Sequence, residues 1–257
     1  VIGWEHEIRA LTRAQIIDFY RKWYAPNNAV LVLSGDINET DALVLSKKIY
    51  GVIPAKVLPE RQKWQEPRHR TDRLVELRHP QVRQSSWTRQ FIAPSYSYGD
   101  TEHAYALQVL EEILSGGSTS RLYKSLVVEK KIAVSAGAWY RANLRGPATF
   151  GFAVTPAIKE EIVAVERAIK VEINKLIKND VSDDEVARAI ARLQASAIFA
   201  RDSNRVPARS LGGALAINRS VEDVESWPDH IGNVNAKDIS KAVHAVFADR
   251  PSLRTIL

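Results

Sequence analysis

At 257 residues the chain can bury one large core or two small ones, and 36 Lys and Arg against 30 Asp and Glu leave a formal net charge of +6. It contains no methionine and no cysteine, and the lack of cysteine excludes a disulfide framework and every thiolate metal site. Every apolar stretch is broken by charge well short of the roughly 18 to 20 residues that cross a bilayer, so no membrane span is expected.

Val1 is followed by neither a basic segment nor an apolar stretch of signal-peptide length, and the expectation is a fragment whose natural start lies upstream. Glu5-His6-Glu7 reads as a polar helix entry. Residues 12 to 24 predict an amphipathic helix, with Thr12 and Gln15 as a capping box, Ile16, Phe19, Tyr20 and Trp23 at helical spacing, and Pro26 as the stop. Ala29 to Ser34 is short, apolar and β-rich between Asn27-Asn28 and Gly35-Asp36, which predicts a buried strand. A second helix follows from Asn38 with Leu43, Leu45 and Ile49. Three prolines and a loss of apolar periodicity over 54 to 72 place a linker at 55–72, between a first part at 1–54 and a second domain at 73–257.

In that second domain Arg73 to Arg78 and Gln84 to Ile92 predict strands, and Thr101 to Leu114 a helix broken by Gly116-Gly117. Ser118 or Ser120 is placed to cap the next helix, which runs to Lys130. Ile132 to Tyr140 and Thr149 to Thr155 flank a turn at Asn143 to Pro147, a hairpin pattern. Glu160 to Ile177 carries Ile162, Val165, Ile169, Ile173 and Leu176 on one stripe, and Ser182 with Glu185 opens another long helix through Val186, Ile190, Leu193 and Ala197. Helices at Pro207 to Ala216 and Ala236 to Phe247 and a strand at Leu253 to Leu257 complete the series. The fold class expected is α+β, a mostly antiparallel sheet with helices on one face; a doubly wound parallel sheet fits less well.

Eight Lys and Arg against three Asp and Glu between Arg61 and Arg89 leave an excess of +5, nearly the whole formal net charge of +6. No nucleic-acid motif accompanies them, so a solvated linker is the reading and no nucleic-acid partner is expected; Trp64 and Trp87 read as packing anchors. None of the six histidines forms an i, i+4 pair, neither H-E-x-x-H nor H-x-x-E-H occurs, and His103 with Glu111 and Glu112 is the nearest approach to a ligand cluster. No nucleophile elbow, Walker loop or dinucleotide fingerprint is present. Ser115-Gly116-Gly117-Ser118 opens a helix; its amides can hold an anion or peptide carboxylate, or it is simply one helix's end and the next one's start.

Several separated motifs together resemble the pitrilysin/insulinase family of zinc metallopeptidases, to which mitochondrial processing peptidase belongs. They are Val1-Ile2-Gly3-Trp4, Ile8 to Thr12, Trp23 to Ala29 and Leu33 to Ile37, then Ala93-Pro94-Ser95-Tyr96, Ala106 to Leu110, Ser115 to Tyr123 and Ser220 to Val224. The resemblance implies a LuxS/processing-peptidase type of domain, with 1–54 as the tail of an N-terminal peptidase domain and 73–257 as the C-terminal domain. Active members hold zinc through H-x-x-E-H and a later Glu in the N-terminal domain. By that resemblance zinc belongs to the intact protein, with ligands upstream of Val1 and none in this chain, which supplies no catalytic or metal residue. The metal would polarise the scissile carbonyl while a Glu activates water.

The loop Gly116, Gly117, Ser118 and Arg121 becomes a candidate contact for peptide or partner. Many members carry an Arg and a Tyr in a stretch resembling L-R-E-K-R-G-L-A-Y; the corresponding Leu126 to Val134 places Val127 and Val134 there. Such a chain resembles the zinc-supplying type of subunit, acting on peptide or unfolded protein with a homologous second subunit providing the Arg/Tyr pair. This half would then form the facing chamber wall and the partner interface, and family habit suggests a bacterial periplasm or envelope. The alternative is a non-catalytic core-type subunit of the same family.

Overall fold

A computed structural model of the chain describes residues 3–61, 69–157, 162–178 and 181–257. They fall into two compact units, one drawn from residues 1–67 and 203–218, the other from 68–202 and 219–257. Trp64 and Glu160 lie outside the described residues.

The first unit is helical. Its described elements are α1 (Glu5–Ala10), α2 (Arg13–Trp23), α3 (Glu39–Tyr50) and, later in the chain, the helix Arg205–Ala216 that is α7 in chain order. The predicted capping box closes α2: the Gln15 amide donates to Thr12 Oγ1 at 3.3 Å and Gln15 Oε1 accepts from the Thr12 amide at 2.8 Å. At the other end Lys56 Nζ donates to the carbonyls of Arg21 and Tyr24, satisfying acceptors that the helix leaves open. Asn38 caps α3 through the Asp41 amide. The strand expected at Ala29–Ser34 does not form; no ladder partner lies beside it among the described residues, and Val30, Leu31 and Leu33 are each 49% exposed. An apolar run becomes a strand only when a neighbour takes its backbone hydrogen bonds. The buried side chains of this unit are Ala25 and Ala214 alone among the described residues, so it has no hydrophobic core of its own.

The second unit holds a five-stranded sheet of β1 (Arg73–Glu76), β2 (Trp87–Ala93), β3 (Ala133–Tyr140), β4 (Ala148–Pro156) and β5 (Ser252–Ile256) in the order β1-β5-β2-β4-β3. Only β1 and β5 pair parallel; the other ladders are antiparallel, and β3–β4 is the predicted hairpin. One face carries α4 (His103–Ser115), α5 (Ile162–Ile177), α6 (Asp183–Ala200) and α10 (Ala236–Phe247), with the short α8 (Val221–Glu225) and α9 (Trp227–Gly232) between α7 and α10. This is the expected α+β fold. Trp87, Phe91 and Ala93 alternate into the core from β2, and Phe150, Phe152 and Val154 from β4. Phe91, Phe150, Phe152 and Phe247 meet one another at ring separations of 5.0 to 6.4 Å in tilted or edge-on pairs. On the opposite face Trp139 lies across its ladder partner Gly151, where an added Cβ would stand 2.1 Å from the indole.

The stripe predicted on α5 is the one that packs: Val165, Ile169, Ile173 and Leu176 are buried. Two short helices escaped the periodicity reading because α8 and α9, at five and six residues, span less than two turns. They are held to α4 by a polar network: Trp227 Nε1 donates to the Tyr96 hydroxyl at 3.0 Å and to Gln108 Oε1 at 3.1 Å, and Gln108 Nε2 also donates to that hydroxyl. The Arg219 guanidinium sits 3.8 Å from the Tyr96 ring centroid.

Replacing Phe247 by Ala removes the ring that touches the other three phenylalanines and should cost about 3 to 5 kcal/mol. Phe199→Ala, at a side chain 72% exposed, should stay within about 0.5 kcal/mol. Urea midpoints of the two variants check the contrast.

Candidate functional site

The glycine loop follows directly from how α4 ends. The Gly116 amide returns to Glu112 O at 2.7 Å, and a Cβ at Gly116 would meet that same carbonyl at 2.5 Å and the Glu112 carboxylate at 2.0 Å. Gly117 then takes φ +98, a conformation that L side chains rarely adopt. Two consecutive glycines are therefore required by backbone, one for space and one for dihedral. Gly117, Ser118 and Thr119 are exposed, and the Ser120 amide closes the turn on Gly117 O at 3.1 Å.

Neither serine caps the next helix as expected. The Ser120 hydroxyl is buried without a partner among the described residues, and the helix has no side-chain cap. The segment Tyr123–Glu129 winds as a π-helix, a geometry often found at functional positions. What fastens it is charge. Arg121 presents Nε and Nη2 to the two oxygens of Glu185 at 2.5 and 2.6 Å, a bidentate fork largely shielded from solvent. Burial acts to raise the Glu185 carboxyl, but the Arg121 fork and the Ser182 amide outweigh it and hold it down at about 2. Because Ser182 and Glu185 are also the capping box of α6, a single carboxylate closes that helix and anchors the loop. Behind the loop, Arg192 pairs with Glu112 at 2.8 Å. Arg121 is thus a tether of the loop, and the outward-facing members of the candidate set are Gly117 and Ser118.

The π-helix is pinned from the other side. Ser125 Oγ donates to the buried Glu172 at 3.0 Å and accepts from Lys130 Nζ at 2.6 Å, while Lys175 Nζ reaches the same Glu172 oxygen at 3.2 Å. Val127 is half-buried against the core; Val134 on the edge strand β3 is 52% exposed. Lys131, between them, adopts φ +54, and it stands where the resembled motif has its glycine. Lys131 thus takes the left-handed conformation that a glycine favours, with valines at 127 and 134 on either side of it. Strand β3 passes close to the end of α4: a Cβ at Gly137 would lie 2.7 Å from Ser115 Oγ.

Among the described residues no three His, Asp or Glu converge to hold a metal ion, and the grouping of His103 with Glu111 and Glu112 does not assemble into one. The described residues therefore offer no donor set that fits a zinc ion. Several residues noted in the sequence do come together, however: Tyr96 and Gln108 share the network with Trp227, and Asp223, in the motif Ser220 to Val224, pairs with Arg219.

Residues 10–193 match the family model of the peptidase M16 inactive domain. The chain belongs to that family. Across its full length it is 23% identical to an uncharacterized zinc protease of Streptomyces coelicolor, covering 56% of that protein, and 23% identical to zinc protease PqqE of Helicobacter pylori, covering 57%. It spans little more than half the length of these relatives. A protease structure from Helicobacter pylori superposes over 100% of the chain and 61% of its own with TM-score 0.91 at 21% identity. The peptidase M16 inactive domain from Pseudomonas fluorescens does so over 99% and 59% with TM-score 0.82 at 20% identity. At such identities the likeness establishes the fold.

Glu111 gives this region a pH dependence. Burial, with Glu112 adjacent, pushes its carboxyl from 4.5 up to about 7. The folded chain then keeps the proton after the unfolded chain has lost it, so stability falls as pH rises from about 4.5 through 7. Glu111→Gln should remove that slope and gain roughly 1 kcal/mol at pH 8, allowing for partial exposure. Urea midpoints at pH 5 and pH 8 test it, and a slope unchanged in the variant would assign the effect to another group.

Proposed function

We propose that this chain is the C-terminal portion of a zinc metalloendopeptidase subunit, forming the wall that closes a substrate chamber and contacting a homologous partner subunit. The observation that carries the reading is the Leu126–Val134 stretch. It contains a π-helix and a left-handed Lys131, and Val127 and Val134 stand where the resembled family pattern has Arg and Tyr. A chain that keeps the scaffold and lacks the two polar side chains needs them from elsewhere if the protein cleaves peptides, which is the rationale for a partner of the same family. The names of its relatives as zinc proteases support zinc in the intact protein, held outside the residues described.

In this proposal residues 1–54 are the tail of the N-terminal peptidase domain, 55–72 a linker and 73–257 the C-terminal domain. The exposure of apolar side chains within 1–54 supports reading that segment as part of a larger domain: Phe19, Tyr20, Leu43, Leu45 and Ile49 are all between 47% and 58% exposed. The substrates would be peptides or unfolded proteins, with Gly117 and Ser118 as contact points. A periplasmic or envelope location is supported by the relative described as the periplasmic protease PqqL from Escherichia coli, whose first half superposes on 99% of this chain with TM-score 0.76.

The test is cleavage of an unstructured peptide by the full-length gene product, with and without a chelator and with its homologous partner added. Activity that requires the partner and disappears with chelator is the expected result. No cleavage in any combination, together with an absence of zinc from the intact protein, would replace this reading with a non-catalytic core-type subunit.

A further inference from the structure

The ladder between β2 and β5 sets Arg89 directly opposite Arg254. Two like charges facing each other across an antiparallel pair repel, and such pairs are destabilising unless something neutralises them. Arg89 also points to the helix-covered face, since it shares the alternation of Trp87 and Phe91 and its guanidinium lies 4.9 Å from the Phe91 ring centroid. Beside the pair opens a cavity of about 410 Å³, with Arg167 and Lys170 on its α5 side and Asp72 and Glu166 as its carboxylates. Four cations against two carboxylates leave two positive charges in excess.

The carboxylates are already committed. Asp72 accepts from the amide and hydroxyl of Ser252 at 2.7 and 2.9 Å, and Glu166 accepts from Arg254 Nη1. Arg89 spends Nε on Ser252 Oγ at 2.9 Å, the Nε of Arg254 is buried without a hydrogen-bond partner, and Arg167 and Lys170 make no ion pair among the described residues. Burial, opposed by Asp72 and assisted by Arg254, pulls the Arg89 guanidinium down from its ordinary value, the response of a cation held among too few anions.

We propose that this cavity is an anion site for a compact dianionic oxyanion of the phosphate type. The charge matches the excess of two, and paired guanidiniums offer the planar forks that bind tetrahedral oxyanions, while Lys170 adds a point charge at the open side. Free phosphate and a phosphoryl ester on a small molecule share this chemistry. An anion there would relieve the Arg89–Arg254 repulsion, so binding should appear directly as stabilisation.

Inorganic phosphate is titrated into the protein at constant ionic strength set with chloride, following thermal unfolding, and glycerol phosphate is titrated in parallel. A saturable rise in Tm with phosphate or glycerol phosphate, and none with chloride, is expected; the tighter of the two names the source. Arg254→Gln should weaken the apparent affinity at least tenfold. Arg167→Gln combined with Lys170→Gln should weaken it several-fold without changing the Tm of the unliganded protein, since both side chains are exposed, so this variant decides the matter if the first does not fold. A rise that fails to saturate, or one undiminished in the Arg167/Lys170 variant, overturns the site.

Discussion

The strict alternation of β2 between Trp87, Phe91 and Ala93 on one face and exposed or half-exposed residues on the other governs the second unit. Side chains in a strand repeat every two residues, so a slip of one would carry Phe91 out of the ring cluster and drive Ile92 into it. The cluster resists this because four aromatic rings from β2, β4 and α10 already fill the space edge to face. Once that register is set, several distant features follow without further adjustment. Arg89 must face the helices and must stand opposite Arg254, Thr88 must meet Thr255 across the ladder at 2.6 Å, and Trp139 must cover Gly151 from behind. The polar arrangements of the domain are therefore consequences of an apolar register.

Much of the scaffold is readable from the chain because its signals are local. Thr12 with Gln15 and Ser182 with Glu185 form the capping boxes that their spacing suggests, and the α5 stripe buries the residues that its period selects. Ala29–Ser34 shows where local reading ends: five apolar residues and a serine specify a willingness to pair, and pairing needs a neighbour that this segment does not have among the described residues. The same holds for the site. The glycine pair announces a turn, and its dihedral demands are local, but the Arg121–Glu185 fork joins residues 64 positions apart and no spacing rule points to it. The buried Glu172 is equally silent in sequence, since a Glu on a helix is ordinarily solvated and only the fold brings Ser125 to it. The arginine pair is hidden for the same reason: Arg89 and Arg254 become neighbours only when the last strand threads between β1 and β2.

Two of these hidden contacts share a logic. Glu185 serves both as the reciprocal partner of Ser182 at the start of α6 and as the anchor of Arg121, so helix formation and loop anchoring draw on one carboxylate. Glu172 likewise receives Ser125 from the π-helix and Lys175 from its own helix. Each is acceptor-only when ionised and can take several donors, which makes a single buried carboxylate an economical junction between elements. The stretch carrying Val127 is therefore fixed at both ends, through Arg121 before it and Ser125 and Lys130 within and after it. The exposed Val134 takes no part in these polar anchors, whereas Val127 packs against the core.

That separation between what holds a segment and what acts from it explains how one fold can persist as an inactive domain. Phe91, Phe150, Phe152 and Phe247, the glycine turn and the carboxylate junctions stabilise the domain whether or not chemistry occurs nearby. Residues whose only role is to touch a substrate have no such support, and nothing in the core opposes a valine at an exposed strand position such as Val134. The arginine pair is the reverse case. Arg89 and Arg254 sit where packing alone would favour any half-buried neutral side chain, and their mutual repulsion counts against the fold. A feature that costs stability in a domain otherwise organised around packing calls for a compensating charge, and the carboxylates supply only part of it: Glu166 meets Arg254 directly, while Asp72 is hydrogen-bonded to Ser252.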